Sequence, residues 1–192
     1  MSKPTKSSSS TPRELPEEGQ HSAVCKIIAD LGTQKSNNPE WADRKIILLL
    51  FELVDLSTKQ KPVYQTLQLT FTVKSKGLIK TMKAWQGVKK LADYDMEDAL
   101  NKPANITLEH NGEYANITAV TAPIKGQRIG KGYMAPVCVF LDETFDEEAF
   151  ESLPEWVKDK IMDSPEYEEV SAPKPRRNNR TAAPAKKSNG RK

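Results

Sequence analysis

Residues 105–120 form two strand-like runs joined by the dipeptide Asn111-Gly112. Asn-Gly between such runs is the strongest short-range signal for a β-hairpin, because both residues tolerate the positive φ angles of a two-residue turn. With this pair as the turn, the predicted cross-strand partners are His110 with Glu113, Leu108 with Ala115, and Ile106 with Ile117. The core face then holds Ile106, Leu108, Ala115, Ile117 and Ala119, with Tyr114 and Asn116 on the opposite face. The chain is therefore expected to build a β-sheet.

Three segments ahead of the hairpin also have strand patterns. Residues 65–73 alternate strictly and predict a half-buried strand, with an apolar face made of Leu67, Leu69, Phe71 and Val73. Residues 45–56 contain an apolar run, 46–51, that is too short for most helices and predicts a strand buried on most of both faces. Residues 21–31 predict a first strand that ends at Gly32.

The period changes to that of a helix after Lys74. Ser75 is a suitable N-cap, and one helical stripe is formed by Leu78, Met82, Trp85 and then Val88 or Leu91. Lysines occupy other positions around this segment, so a basic amphipathic helix is predicted. Phe51, Phe71 and Trp85 are each expected to be core residues instead of ligand-binding ones. A last short strand is predicted over residues 136–141, and residues 145–161 have helical spacing at Phe150, Leu153, Val157 and Ile161.

Three strands, a helix and then a hairpin is the element order of the OB-fold, a small Greek-key barrel. The sequence thus predicts a mostly β protein: an OB-fold-like barrel of five to six strands with one helix between strands 3 and 4. The predicted organisation is a disordered tail over 1–20, the OB-fold nucleic-acid-binding domain over 21–141, an acidic helical segment over 142–170, and a disordered basic tail over 171–192.

Charge is distributed very unevenly along the chain, although its sum is only +3. Residues 142–169 carry twelve acidic residues against two lysines, a net charge of −10, whereas residues 171–192 carry +8 with no acid. Residues 21–141 are left with +5. This order suggests a body that attracts a polyanion and an acidic segment that competes for the same surface. The alternative is that the acids are simply the solvated face of a helix.

Several protein classes are not expected. The chain has no apolar run long enough for a transmembrane helix and no apolar leader near its start, so a cytoplasmic protein is predicted. Cys25 and Cys138 lie far apart, and with only two histidines neither a zinc site nor a disulfide framework is expected. Phosphate-binding loops, nucleophile elbows and dinucleotide fingerprints are absent from the sequence, which predicts a non-enzymatic protein without a cofactor.

Binding of single-stranded nucleic acid needs cations along the phosphates and aromatic faces on which unpaired bases stack. The sequence offers both in its loops and on the outward side of its strands. The candidate nucleic-acid-binding residues are Lys35, Trp41, Arg44, Lys45, Tyr64, Lys74, Lys76, Tyr114, Lys125, Arg128, Lys131 and Tyr133. Glycines at 126, 130 and 132 would let the backbone of residues 125–133 approach a phosphate closely.

Short strings spread along the chain also resemble one family. They are Ile28-Ala-Asp-Leu-Gly-Thr-Gln, Phe51-Glu-Leu, Ser75-Lys-Gly-Leu-Ile-Lys with Trp85-Gln-Gly, Gly112-Glu-Tyr-Ala-Asn-Ile, Leu153-Pro-Glu and Ser164-Pro-Glu-Tyr. Their order over residues 21–168 is similar to that in phage-encoded single-stranded DNA-binding proteins. The resemblance implies an OB-fold that protects single-stranded DNA in phage replication or recombination, in the host cytoplasm and without enzymatic activity. Many single-strand binders end in an acidic, partner-recruiting tail, whereas this chain ends in arginine and lysine.

The first hypothesis is thus a largely sequence-independent single-stranded DNA binder, with phage replication or recombination proteins as further partners. A second is a phage interaction or assembly protein whose barrel binds protein while only the basic tail touches nucleic acid. A third is an RNA-binding OB-fold, because stacking on bases does not depend on the sugar. Removing the tail separates the first hypothesis from the second, since only the first retains single-strand binding.

Overall fold

The computed structural model describes residues 15–36 and 38–171. Within these ranges the strands are β1 (Gly19–Gln34), β2 (Arg44–Leu53), β3 (Tyr64–Thr70), β4 (Pro103–Asn111), β5 (Tyr114–Thr121) and β6 (Val137–Val139). The helices are α1 (Lys76–Gln86), α2 (Glu147–Glu151), α3 (Glu155–Met162) and α4 (Pro165–Ser171), and two short 3-10 turns lie between α1 and β4. Of the tails predicted to be disordered, residues 1–14 and 172–192 lie outside the described residues, whereas Gly19 and Gln20 of the predicted N-terminal tail already belong to β1. None of the helices in the described ranges is long and apolar enough to cross a membrane.

The protein is mostly β, and its six strands form one curved sheet. Five of them follow the order β3-β2-β1-β4-β5, and the sixth, β6, pairs with β1 outside this order. These neighbours are antiparallel, while β6 pairs in parallel with the middle of β1. β1 has 16 residues, and its pairing with β2 shifts register between Cys25 and Ile27 and again between Asp30 and Thr33. Such bulges bend a strand and increase its twist. The two ends of the strand order, β3 and β5, approach each other, so the sheet is barrel-like.

The sheet has a core on each face. The inner face packs Ile28, Leu49 and Phe51 against α1, through Leu78, Met82 and Trp85 of that helix. The outer face packs Ile27, Leu48 and Leu50 against the C-terminal helices, through Phe150, Leu153, Val157 and Ile161. Every residue of β2 from Ile47 to Leu53 is consequently buried, which confirms the predicted burial on both faces.

The helix predicted after Lys74 is confirmed as α1. The Ser75 hydroxyl accepts a hydrogen bond from the amide of Leu78 (3.3 Å), and the helix ends at Gly87, whose φ of +67° suits a left-handed cap. Trp85 is 3% exposed, donates its indole N–H to the carbonyl of Pro103 (2.8 Å) and meets the edge of Phe51. The predicted core roles of Trp85 and Phe51 are therefore confirmed.

The acidic segment is docked along its apolar side. Glu166 of α4 accepts hydrogen bonds from the amide (2.8 Å) and the hydroxyl (2.6 Å) of Thr33 in β1. Burial alone would raise the pKa of the Glu166 carboxyl, but these two bonds hold it below its ordinary value. The helix predicted over residues 145–161 is interrupted between α2 and α3, where Pro154 caps the start of a new helix. A further helix, α4, begins at Pro165 beyond the predicted range.

The hairpin is present, but its predicted register was wrong. The loop consists of Gly112 and Glu113, so Asn111 faces Tyr114, Leu108 faces Ile117 and Ile106 faces Val120. An Asn-Gly turn of the predicted type needs positive φ at both residues, and here Gly112 has φ +63° while Asn111 does not. An extra residue in β5, Thr118, then shifts the register and leaves Ala119 exposed, so Val120 takes its place in the core.

The third strand is shorter than predicted. β3 ends at Thr70, and the next residues turn towards α1 through a hydrogen bond from the Ser75 amide to the Thr72 carbonyl (3.0 Å). Leu67, Leu69 and Phe71 pack on the inner core as expected. Val73 was assigned to the same face but is 58% exposed, because the alternation of a strand no longer holds beyond its end.

Candidate nucleic-acid interface

The predicted site residues fall into three groups. Six of them lie at what we call the loop end of the sheet, where β1 ends, β2 begins and β3 ends opposite Ile46: Lys35, Trp41, Arg44, Lys45, Lys74 and Lys76. Tyr64 and Tyr114 lie at the opposite, hairpin end. Tyr64 faces Glu52, which is eight residues from Arg44 along β2, and this corresponds to about 26 Å of strand. The third group, Lys125, Arg128, Lys131 and Tyr133, lies in the loop between β5 and β6.

At the loop end, an arginine and a tryptophan form one exposed unit. The Arg44 guanidinium lies 5.5 Å from the centre of the Trp41 ring, and Trp41 is 59% exposed. The loop is ordered locally, because the amide of Trp41 donates to the carbonyl of Asn38 (3.0 Å) and the Asn38 side chain accepts from the amide of Glu40 (3.0 Å). A stacked arginine and indole can hold a base and its phosphate together.

Lys45 has a different environment from the other cations of the loop end. Its ammonium is 2.9 Å from the carboxylate of Asp30, a side chain only 2% exposed, and lies 5.5 Å from the centre of the Phe71 ring. Burial raises the pKa of the Asp30 carboxyl, while hydrogen bonds from Lys45 and the Gly32 amide act in the opposite direction. Because Lys45 neutralises this buried acid, it is less available to a phosphate than the exposed Lys35 and Arg44.

At the hairpin end, a cleft of about 890 Å³ opens between the starts of β3 and β5. We call it the hairpin cleft. Three aromatic side chains line it: Tyr64 from β3, Tyr114 from β5 and Trp156 from α3. Tyr114 is 72% exposed, whereas Tyr64 and Trp156 are half-buried. Lys61, Gln65 and Asn116 add polar groups to its wall. The cleft thus combines ring faces with hydrogen-bonding side chains, as binding of unpaired bases requires.

The loop between β5 and β6 crosses the outer face of the sheet and is anchored at two points. The side-chain amide of Gln127 accepts a hydrogen bond from the Asn105 side chain (2.8 Å) and donates to the side-chain oxygens of Asn105 (3.0 Å) and Ser22 (3.1 Å). Further along, the carboxylate of Glu52 accepts from the amides of Tyr133 and Met134. Between and beside these anchors the predicted cations Lys125, Arg128 and Lys131 are exposed, and Tyr133 is 58% exposed.

Sequence reasoning missed three residues of this surface: Glu52, Gln127 and Trp156. Trp156 lies in the acidic segment, which the sequence analysis interpreted only by its charge and its apolar spacing. Glu52 had a usable signal, because it is an acid inside a strand predicted to be buried on both faces. Buried carboxylates need hydrogen-bond donors, so a partner segment could have been inferred, although not which one.

The two thiols in the described residues offer little reactivity. Cys25 is fully buried and Cys138 is half-buried, and both are free. Burial, with the nearby charges of Glu97 and Asp95, raises the pKa of Cys138 to about 12, and burial raises that of Cys25 as well. Because the thiolate is the nucleophilic form, neither cysteine is activated for chemistry at neutral pH.

Comparisons with known proteins found no counterpart. No protein-family model matches the chain, and neither a curated protein nor a solved structure is significantly similar to it. Membership of the family of phage-encoded single-stranded DNA-binding proteins is therefore a prediction that is based on the short strings of the sequence alone.

Proposed function

We propose that this protein has an OB-fold and uses it to bind and protect single-stranded DNA, largely independently of sequence, in phage replication or recombination. The strand order supports this proposal. β1 pairs with β2 on one side and β4 on the other, β2 pairs with β3, and α1 follows β3 in the chain. An OB-fold connects its strands in this way and binds oligonucleotides on its outer face and adjoining loops.

The hairpin cleft is the observation that carries the proposal. Its three rings, Tyr64, Tyr114 and Trp156, come from separate parts of the chain and lie on the outer side of the sheet. Stacking on such rings requires bases that are free of a partner strand, so the arrangement favours single strands over duplexes. The exposed pair of Trp41 and Arg44 offers a second stacking site at the other end of β2, where Arg44 is about 26 Å of strand from Glu52, the partner of Tyr64. An extended single strand of DNA can span such a length.

Affinity for a single-stranded oligonucleotide is expected to fall steeply with salt, because each cation that neutralises a phosphate releases a counterion. For Z contacts the slope of log K against log salt should be roughly −0.7Z. The measurement is a fluorescence anisotropy titration of the full chain with single-stranded DNA, the matching duplex and single-stranded RNA at several salt concentrations. Affinity that stays flat between low and moderate salt would contradict the proposal.

The matched control for that titration is the chain ending at Ser171, which keeps every described strand and helix but lacks the +8 tail. Modestly weaker binding that still favours single strands supports a site on the sheet. If single-strand binding disappears with the tail, the sheet instead binds another partner. Equal or tighter binding of RNA would change the proposed substrate but not the site.

Replacing an exposed ring should weaken binding without unfolding the protein. Tyr114→Ala and Trp41→Ala are each expected to cost about 1–3 kcal/mol of single-strand binding, the usual contribution of one stacked base. Met162→Ala is the control, because Met162 is also an exposed apolar side chain (43%) but lies outside the three groups. Binding is measured beside thermal unfolding. A variant that loses stability while its binding per folded molecule is unchanged would show that its ring supports the core instead.

A further inference from the structure

Glu52 is a buried acid on the side of β2 that faces the loop before β6. It is 0% exposed and lies two residues after Leu50 of the outer core. Its carboxylate accepts hydrogen bonds from the Tyr133 amide (2.8 and 2.9 Å) and from the Met134 amide (2.9 Å). Burying a carboxylate is costly unless donors surround it, and bonds from amides to an ionised acceptor are strong ones. Glu52 and this loop therefore stabilise each other.

The loop backbone fits closely against this carboxylate. Gly132 has a φ of +70°, and a Cβ at this position would overlap the Glu52 carboxylate. Gly130 lies two residues earlier in the same loop, where a Cβ would meet open space. Only Gly132 is thus required by the contact with Glu52, and the two glycines form a matched pair for an experiment.

The anchored loop carries the cations of the third group. Gln127 ties one part of it to Ser22 and Asn105, and Glu52 ties the other part at Tyr133 and Met134. Lys125, Arg128 and Lys131 are exposed around these anchors. Holding long basic side chains on a fixed backbone reduces the entropy that is lost when they bind a ligand.

We propose that Glu52 is a positioning residue for nucleic-acid binding: it holds residues 125–133 across the sheet so that their three cations and Tyr133 meet the single strand. The inference rests on the proposed function and deepens it. Removing a negative charge from a surface ordinarily strengthens its attraction for a polyanion. Replacing Glu52 is instead expected to weaken binding of the single strand, because its carboxylate fixes the loop that carries Lys125, Arg128 and Lys131.

The test uses the full chain with Glu52→Gln, which keeps the size of the side chain and one accepting oxygen. Single-strand affinity should fall roughly tenfold at low salt, and the salt slope should become shallower by up to about 2 if all three cations lose their phosphates. Trypsin should cut faster after Lys125, Arg128 and Lys131, while the unfolding temperature should fall by only a few degrees, because one accepting oxygen remains for the loop amides. Gly132→Ala should reproduce the changes in affinity, slope and cleavage, together with a lower unfolding temperature because alanine disfavours a φ of +70°. Gly130→Ala should leave affinity, slope and cleavage unchanged.

Other outcomes overturn the proposal. Glu52→Gln that binds equally well or more tightly with an unchanged slope shows that the loop needs no anchor for binding. A lower unfolding temperature with normal binding per folded molecule shows a structural role only. If Glu52→Gln does not fold, Gly132→Ala decides by the same readouts. A wild-type chain that binds no single strand refutes the proposed function instead, and the trypsin rates then report separately on whether Glu52 holds the loop.

Discussion

Ending the chain at Leu141 should abolish cooperative folding of the sheet. Phe150, Leu153, Val157 and Ile161 are each no more than 4% exposed and cover the outer face of the sheet. Burying one such side chain contributes about 1.5–3 kcal/mol, so the four together contribute roughly 6–12 kcal/mol before the cost of ordering the helices. That is comparable with the whole stability of a typical domain, about 5–15 kcal/mol. The fragment would also expose Leu48 and Leu50 to water.

Thermal unfolding of residues 1–141, followed by far-ultraviolet circular dichroism, measures this effect. The chain ending at Ser171 is the control, because it keeps the hydrogen bonds of Glu166 to Thr33 and every C-terminal helix. The control should unfold cooperatively near the temperature of the full chain. A 1–141 fragment that unfolds within a few degrees of it would mean that the C-terminal helices contribute little.

This packing also changes how the proposed competition between the acidic segment and DNA can be tested. Deleting the segment would remove a core as well as a charge. Neutralising exposed acids avoids this problem, and suitable positions are Glu143, Glu148, Glu168 and Glu169. Their replacement by glutamine should raise single-strand affinity if the segment competes with DNA. Unchanged affinity in a folded variant would refute that hypothesis.

Trp85→Ala should destabilise the protein by about 3–5 kcal/mol, the usual cost of emptying the space of a buried aromatic residue. The indole fills the inner core beside Phe51, with ring centres 5.2 Å apart, and its N–H satisfies the Pro103 carbonyl. The measurement is urea unfolding at equilibrium. Trp41→Ala is the matched control, because Trp41 is 59% exposed, and its change in the free energy of unfolding should stay within about 0.5 kcal/mol.

Trp85→Phe separates the two contributions of the indole. It retains most of the ring but removes the donor to Pro103, so it should cost less than the alanine variant, about 1–3 kcal/mol. If Trp85→Ala and Trp41→Ala destabilise the protein equally, the inner core does not depend on Trp85 as its burial indicates.

Local patterns were sufficient wherever neighbours in the chain decide the structure. Ser75, the stripe of Leu78, Met82 and Trp85, and Gly87 specify α1 because capping and helical spacing act within a few residues. The continuous apolar run of β2 likewise indicated a strand covered on both faces, since no half-exposed strand tolerates it. The helical spacing of Phe150, Leu153, Val157 and Ile161 allowed the acidic segment to pack on the barrel, but it did not indicate which face of the sheet the segment would cover.

The register of the hairpin could not be predicted from local sequence alone. Asn111-Gly112 located the turn, but Gly112 can supply the positive φ of more than one turn type, so the register stayed open to a shift. The loop of Gly112 and Glu113, with the bulge at Thr118, places Ile117 and Val120 on the inner core. Packing against that core decided the register, because slipping by one residue would turn every side chain to the other face.

The residues of the candidate site could be predicted only in part from local patterns. Exposed rings and cations such as Trp41, Tyr114 and Arg128 could be picked out by residue type and by alternation within their own segment. The meeting of Tyr64, Tyr114 and Trp156 around one cleft could not, because it depends on how β3, β5 and α3 are placed after the sheet curves. The hydrogen bond from the Tyr133 amide to the Glu52 carboxylate, 81 residues away in the chain, also depends on the tertiary structure. Periodicity reports which side of its own segment a residue faces, and only the tertiary structure determines which distant residue it meets.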